Sequence, residues 1–172
     1  MREMFSAIAP TYDLLNHLLS ANVDRSWRDR ALERLRWEER PGGRYLDACA
    51  GTLDFAAALL ARPGFGGSVV GADFAVPMLK LGAAKAGGRV RRAASDALQL
   101  PFADGTFAGA TVGFGVRNLA DLDAGLAELR RVLADGARLV VLEFTTPSFA
   151  PLRAAYLFYF RRVLPLVGRA IS

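Results

Sequence analysis

Three aspartates stand where predicted strands stop: Asp47 in RYLDA, Asp73 in VVGAD and Asp96 in the SDALQLPF phrase. Carboxylates at the carboxyl ends of neighbouring parallel strands line the crevice in which open α/β sheets bind ligands. Asp73 follows Gly51 by 22 residues, a spacing that suits a carboxylate accepting hydrogen bonds from ribose hydroxyls. A nucleoside-containing cofactor is therefore the first expectation. The loop after the first strand, Ala48-Cys49-Ala50-Gly51-Thr52-Leu53, holds one glycine, whereas a dinucleotide pyrophosphate needs several for close backbone approach. S-adenosylmethionine carries ribose and adenine without phosphate, so a glycine-poor loop tolerates it and the following helix start can serve its methionine carboxylate. Asp96 then sits where a carboxylate could accept the exocyclic amine of adenine. Each aspartate alone could equally be a helix cap or turn former; three in succession favour a joint site.

The elements that must position these groups alternate. Helical periodicity covers 11–22 and 24–36, with Leu14, Leu15, Leu18 and Leu19 on one face and Ala31, Leu32 and Leu35 on another. Pro41, Gly42 and Gly43 punctuate the chain before a strand at 44–48. There follow a helix at 53–62, a strand at 68–72, a helix at 75–85, strands at 89–94 and 107–113, a helix at 121–134 and a strand at 138–144. The Asp135-Gly136 turn should stop that last helix. Strands alternating with helices imply right-handed crossovers and a doubly wound, mainly parallel α/β sheet.

At 172 residues, 52% apolar and 23% charged, the chain suits one domain with a sizeable core. The lone Cys49 permits no internal disulfide, and no cluster of cysteines and histidines suggests a metal site. A cytosolic, reducing compartment fits. The amino terminus has neither a secretory h-region nor, anywhere in the chain, a run of about eighteen apolar residues to span a bilayer. A net charge of +5 favours an anionic partner. After Glu143 there is no acidic residue, and Arg153, Arg161, Arg162 and Arg169 are interleaved with Tyr156, Phe158, Tyr159 and Phe160. Such a segment can lie at an anionic membrane surface, or pack on the sheet with a solvated basic edge. No nucleic-acid-binding signature accompanies the charge.

Four phrases, MFSAIAPTYDLLNHLLS with DRSWR, SDALQLPFADGTF, TVGFGVRNLAD and RVLADGARLVVLEFTTP, together resemble the quinone-biosynthesis C-methyltransferases. These are class I S-adenosylmethionine-dependent enzymes that methylate demethylmenaquinol or a prenylated methoxy-benzoquinol. The resemblance runs along the whole chain, tail included. It implies a Rossmann-like methyltransferase domain over 1–172, with a helical lid (1–40), a cofactor-binding core (41–147) and an aromatic, basic helix on the acceptor side (148–172). Its cofactor contacts fall on Asp47, Gly51 and Thr52 in the first motif, Asp73 at the ribose, Asp96 with Ala97 at the adenine, and Gly113. The implied acceptor is a prenylated quinol, demethylmenaquinol foremost, and the implied site of work is cytoplasmic, peripheral to the membrane.

Methylating a ring carbon requires the quinol to lose a hydroxyl proton. Arg117 and Asn118, just past the fourth strand, are the expected holders of the developing oxyanion; Arg117 could instead pair with Asp121 or Glu143. Tyr12, with Asp13, is placed by the resemblance in the lid over the cofactor, and either could equally be packing or surface. His17, the only histidine, sits among leucines and is read as packed or exposed. Cys49 is read as a small buried residue. Three departures from the family pattern stand out. Leu53 replaces a glycine, at a cost of about 1–2 kcal/mol if the position needs positive φ, and its side chain could crowd the cofactor carboxylate. Ala108 replaces an aspartate. The family also continues past Ser172 with two further strands, whose lack would leave an exposed sheet edge open to homodimer pairing. Leu53 and the short tail motivate a rival reading, a non-catalytic partner subunit; a nicotinamide-dependent oxidoreductase is a distant third.

Overall fold

The computed structural model describes residues 23–86, 89–145, 149, 150 and 153. The helix expected at 11–22, Tyr12, Asp13 and His17 lie outside the described residues, as does nearly all of the 148–172 segment.

Helix α1 (Val23–Leu35) is followed by a 3-10 turn (Trp37–Glu39), strand β1 (Arg44–Ala48), α2 (Asp54–Leu60), β2 (Ser68–Asp73), α3 (Val76–Lys85), β3 (Val90–Ala94) and β4 (Phe107–Gly113). A second 3-10 turn (Val116–Asn118), α4 (Leu122–Val132) and β5 (Leu133–Leu142) complete the order. The sheet runs β3-β2-β1-β4-β5, every pair parallel. This is the doubly wound architecture the alternation implied. The chain steps from β1 to β2 and β3 on one side and returns to place β4 on the other, so a crevice opens at the carboxyl ends of β1 and β4.

The side-chain period of two divides β1 and β2 between two cores. Tyr45 and Val69 face a cluster with Leu32 and Leu35 of α1, Phe55 and Leu59 of α2 and Leu79 of α3. Leu46, Ala48, Val70 and Ala72 face the opposite cluster, with Leu129 and Val132 of α4. Local signals agree with these elements. Proline stands in the first turn of α3, where its fixed φ suits a helix start, and the Asp121 carboxylate caps α4 by accepting from Ala124 N–H at 2.9 Å. Of the segment expected as a lid, α1 is thus built into the core layer.

One expected boundary is overturned. The Asp135-Gly136 pair does not separate helix from strand: α4 stops at Val132, and β5 starts at once, Leu133 pairing with Phe107. The next pair is Gly109 with Arg138, so five steps along β5 oppose two along β4. Gly136, at φ 74°, turns the chain inside that bulge. Leu133 is buried, and its burial with β4 outweighs the turn signal that follows it.

Candidate active site

The loop joining β1 to α2 is shaped by three left-handed residues, Cys49 (φ 51°), Gly51 (φ 49°) and Leu53 (φ 63°). Ala50 N–H donates to Ala72 O of β2 at 3.0 Å and Leu53 N–H to Ala50 O at 2.8 Å, which pins the loop over the strand ends. Gly51 N–H donates to Asp73 Oδ2 at 2.8 Å, and Ala75 N–H donates to Asp73 Oδ1 at 2.7 Å. Asp73 therefore joins the first loop to the second. Burial raises its carboxyl above the usual range, and the Ala75 and Gly51 amides oppose that rise. Two backbone donors leave about two further acceptor positions on the carboxylate, enough for a pair of vicinal hydroxyls.

Leu53 adopts a left-handed backbone conformation, the region that glycine enters most readily, yet its side chain leaves the crevice. It is fully buried in the core under α2. A Cβ on Gly71 would collide with Leu53 Cδ2, and one on Gly82 would lie 2.9 Å from Leu53 Cγ and against the Thr52 carbonyl. Two glycines thus make the room that Leu53 fills. Leu53 lines neither cavity described below, so its side chain takes no space from either.

The main cavity, about 220 Å³, opens at the strand ends and is lined by Gly51, Asp73, Asp96, Ala97, Gly113 and Asn118 among others. Asp96 is exposed, its Oδ1 accepting from Leu98 N–H at 2.9 Å, an Asx turn that presents the adjacent Ala97 to the cavity. Gly113 must be glycine for a reason the sequence hid: a Cβ there would lie 2.7 Å from the Phe55 ring. No Lys or Arg lines this cavity among the described residues, while two carboxylates do. The field favours a cation and opposes a pyrophosphate.

A smaller cavity adjoins the first, sharing Cys49, Gly51, Gly113 and Phe114 with it and adding Arg28, Asp47, Thr52 and Asp54 among others. Asp47 and Thr52 therefore belong here and not beside Asp73 and Asp96 in the main cavity. The Asp47 carboxyl is almost fully buried; Ala56 N–H donates to Oδ2 at 3.1 Å and Thr111 Oγ1 to Oδ1 at 3.2 Å. Burial pushes it up to about 8 against those two hydrogen bonds. Cys49 is pushed up to about 12 by burial and then by Asp73, so its thiol stays protonated and is no nucleophile.

Past β4 the two expected oxyanion holders diverge. Asn118 lines the main cavity; Arg117 lines neither. Its Nη1 lies 3.0 Å from Glu143 Oε1, and its guanidinium carbon 5.3 Å from the centre of the Phe144 ring. The ion pair weighed from sequence is thus formed. Phe144 stacks on Phe114 at 4.5 Å and takes the edge of Trp27 at 5.9 Å, so an aromatic cluster flanks the mouth shared by the cavities.

With this geometry in place, likeness to known proteins becomes decisive. All of residues 1–172 match the ubiE/COQ5 methyltransferase family. The chain belongs to that family. It is 52% identical over 172 residues to the demethylmenaquinone methyltransferase of Thermus thermophilus, covering 98% of this chain and 77% of the relative. It is 42% identical over 177 residues to the ubiquinone/menaquinone biosynthesis C-methyltransferase UbiE of Geotalea daltonii, covering 100% of this chain and 74% of that one. Among solved structures, a SAM-dependent methyltransferase of Thermotoga maritima superposes with a TM-score of 0.70 at 21% identity, over 93% of this chain and 70% of that chain. That likeness shows the shared fold.

Three residues of this ubiE/COQ5 family member escaped sequence reading. Ser95, between Asp73 and Asp96 in the main cavity, has a buried Oγ without a partner; its place in the SDALQLPF phrase was the available signal. Phe114, left-handed at φ 55°, walls both cavities. Arg28 reaches the smaller cavity from α1; its place at the end of the DRSWR phrase was the available signal.

Proposed function

We propose that this ubiE/COQ5 family member transfers the methyl group of S-adenosylmethionine to a ring carbon of a prenylated quinol, with demethylmenaquinol as the acceptor. The observation that carries the cofactor reading is the charge of the main cavity: Asp73 and Asp96 without a lining cation, suited to a sulfonium and hostile to a dinucleotide. The acceptor reading is supported by the relatives' names, demethylmenaquinone methyltransferase among them. When bound, S-adenosylmethionine supplies an electrophilic methyl on sulfur. Asp73 would hold the ribose through its two unused acceptor positions, Asp96 and Ala97 the adenine, and Gly51, Thr52 and Asp47 the amino-acid end, with Gly113 giving backbone contact.

The chain's own chemical task is to make the quinol ring electron-rich, which means favouring loss of a hydroxyl proton and holding the oxygen left behind. Asn118, on the cavity wall, can donate its amide N–H to that oxygen. Arg117 adds positive charge one residue away, its guanidinium steadied by Glu143 and Phe144. A guanidinium stays protonated in proteins and cannot serve as the base, so solvent takes the proton. Tyr12 and the rest of the 1–22 segment would close over the donor as a lid, excluding water. The basic, aromatic residues of 148–172 would hold the protein at the membrane surface where a prenylated acceptor resides, and the β5 edge would offer a place for a second copy to pair. No helix among the described residues is long and apolar enough to cross a membrane.

The rival reading as a non-catalytic partner drew on the short tail and on Leu53, and the second motive weakens because the Leu53 side chain lies in the core. The test is to supply S-adenosylmethionine labelled in its methyl group with demethylmenaquinol in detergent or vesicles. Label is expected in menaquinol; label found only in a soluble small molecule or in protein would overturn the acceptor assignment.

A further inference from the structure

Arg28 is the only cation among the described residues that line the two cavities. It is 8% exposed. Its Nη1 lies 2.7 Å from Asp24 Oδ2, one helical turn back on α1, and its Nη2 lies 3.2 Å from Asp54 Oδ2, the first residue of α2. Only the Asp54 contact is a hydrogen bond; the Asp24 contact is an ion pair, so most of the five N–H donors of the guanidinium remain available. Taking an arginine out of water costs several kcal/mol before pairing, and the i,i+4 partner Asp24 alone could have kept the pair on the helix surface. The side chain instead spans from α1 to the wall of the smaller cavity, behind Gly51 and Thr52.

The helix that follows the loop cannot take on this duty. α2 has seven residues and begins with a carboxylate, Asp54. The Ala56 amide is committed to Asp47, and that of Ala57 to the Leu53 carbonyl. Among the described residues that line this cavity, an anion meets one positive group, Arg28. The same cavity wall places the Asp54 carboxylate beside that cation, a charge pair that complements an α-amino-acid zwitterion.

We propose that Arg28 binds the α-carboxylate at the amino-acid end of the methyl donor, with Asp24 and Asp54 fixing the guanidinium for the purpose. The inference rests on the S-adenosylmethionine reading above and assigns a specificity-determining residue to it. It also ties α1 to the donor: Trp27, the neighbour of Arg28 in sequence, meets Phe144 of the aromatic cluster, so one helix touches both the donor end and that cluster.

The experiment is calorimetric and independent of turnover. Full-length protein is titrated with S-adenosylhomocysteine and with its decarboxylated counterpart, which keeps the amine and lacks only the carboxylate. Wild type is expected to prefer the carboxylated ligand by tenfold or more. In Arg28→Met that preference should collapse to under threefold, through weaker binding of S-adenosylhomocysteine and little change in the other ligand. Arg28→Lys, which keeps a charge without the fork, should retain part of it and serves if Arg28→Met fails to fold. Persistence of the preference in both variants, or an equal loss for both ligands, would overturn the assignment. Wild type that binds the two equally sinks the role of Arg28 alone, whereas wild type that binds neither sinks the cofactor reading and this proposal with it.

Discussion

Leu53 and Gly71 are complementary: the leucine holds a left-handed backbone position at φ 63° and packs its side chain into the space that a Cβ on residue 71 of β2 would occupy. A leucine stands at this left-handed position without filling the crevice, because its side chain is accommodated inward.

Two stability changes follow. Left-handed backbone costs a leucine about 1–2 kcal/mol, but deleting a fully buried leucine side chain typically costs about 2–5 kcal/mol. Leu53→Gly should therefore destabilise the fold by roughly 1–3 kcal/mol despite relieving the backbone, and Gly71→Ala should destabilise it through overpacking by about 1–3 kcal/mol. Urea unfolding of both variants checks this. A more stable Leu53→Gly protein would show that the side chain contributes less than its burial implies.

How far the sequence spoke for itself depends on the range of the interaction. Asp73 and Asp96 were legible because a strand end followed by a turn is a local pattern, and that pattern placed both in the main cavity. Asp47 reads identically in sequence, yet β1 is central, with β2 and β4 on either side, so its carboxyl is enclosed and bonded to Ala56 and Thr111. Arg28 lies in the DRSWR phrase, but its role was hidden for the opposite reason. Its ion pair with Asp54 crosses 26 residues, and no periodicity on α1 distinguishes it from the other arginines of that helix. The direction taken by Leu53 depends on Gly71 and Gly82 from two other elements, which only packing reveals.

Asp47 should impose a pH dependence on stability. Burial raises its carboxyl to about 8 in the folded state from the ordinary value of 3.8, so between those values the folded chain holds a proton that the unfolded chain has released. Its contribution is fully present below pH 3.8 and is lost as pH rises toward 8. The slope approaches about 1.4 kcal/mol per pH unit as an upper bound. Asp47→Asn, which cannot ionise, should flatten the stability profile between pH 5 and about 8 and exceed wild type above it. Parallel profiles for the two proteins, measured by urea unfolding across that range, would remove Asp47 as the source.

Asp73 and Asp96 should contribute unequally to donor binding. Asp73 is 8% exposed and also fixes Gly51, so Asp73→Asn removes a charged hydrogen-bond acceptor and loosens the loop. Hydrogen bonds to charged groups are worth about 1.5–3 kcal/mol, or a loss of roughly 10- to 150-fold in S-adenosylhomocysteine affinity. Asp96 is exposed, and Asp96→Asn should cost under about tenfold. Calorimetric titration ranks them; the reverse order would relocate the ribose.

Asn118 and Arg117 can be separated by the parameter each changes. Asn118 lines the cavity, so Asn118→Ala should lower kcat by about 10²-fold or more, as loss of an oxyanion donor does, while S-adenosylhomocysteine affinity holds within a factor of about three. Arg117 is bound to Glu143 at 3.0 Å with half of its side chain exposed, so its charge acts from the rim. Arg117→Lys preserves that charge but loses the planar fork that meets Glu143 and Phe144 together. If Arg117 serves the reaction, the lysine variant should keep donor affinity and lose kcat, and Glu143→Gln should lower kcat as well by releasing the guanidinium. Should Arg117→Lys and Glu143→Gln leave kcat at the wild-type value while lowering the unfolding midpoint, the pair is a brace between β4 and β5, and Asn118 holds the oxyanion without it.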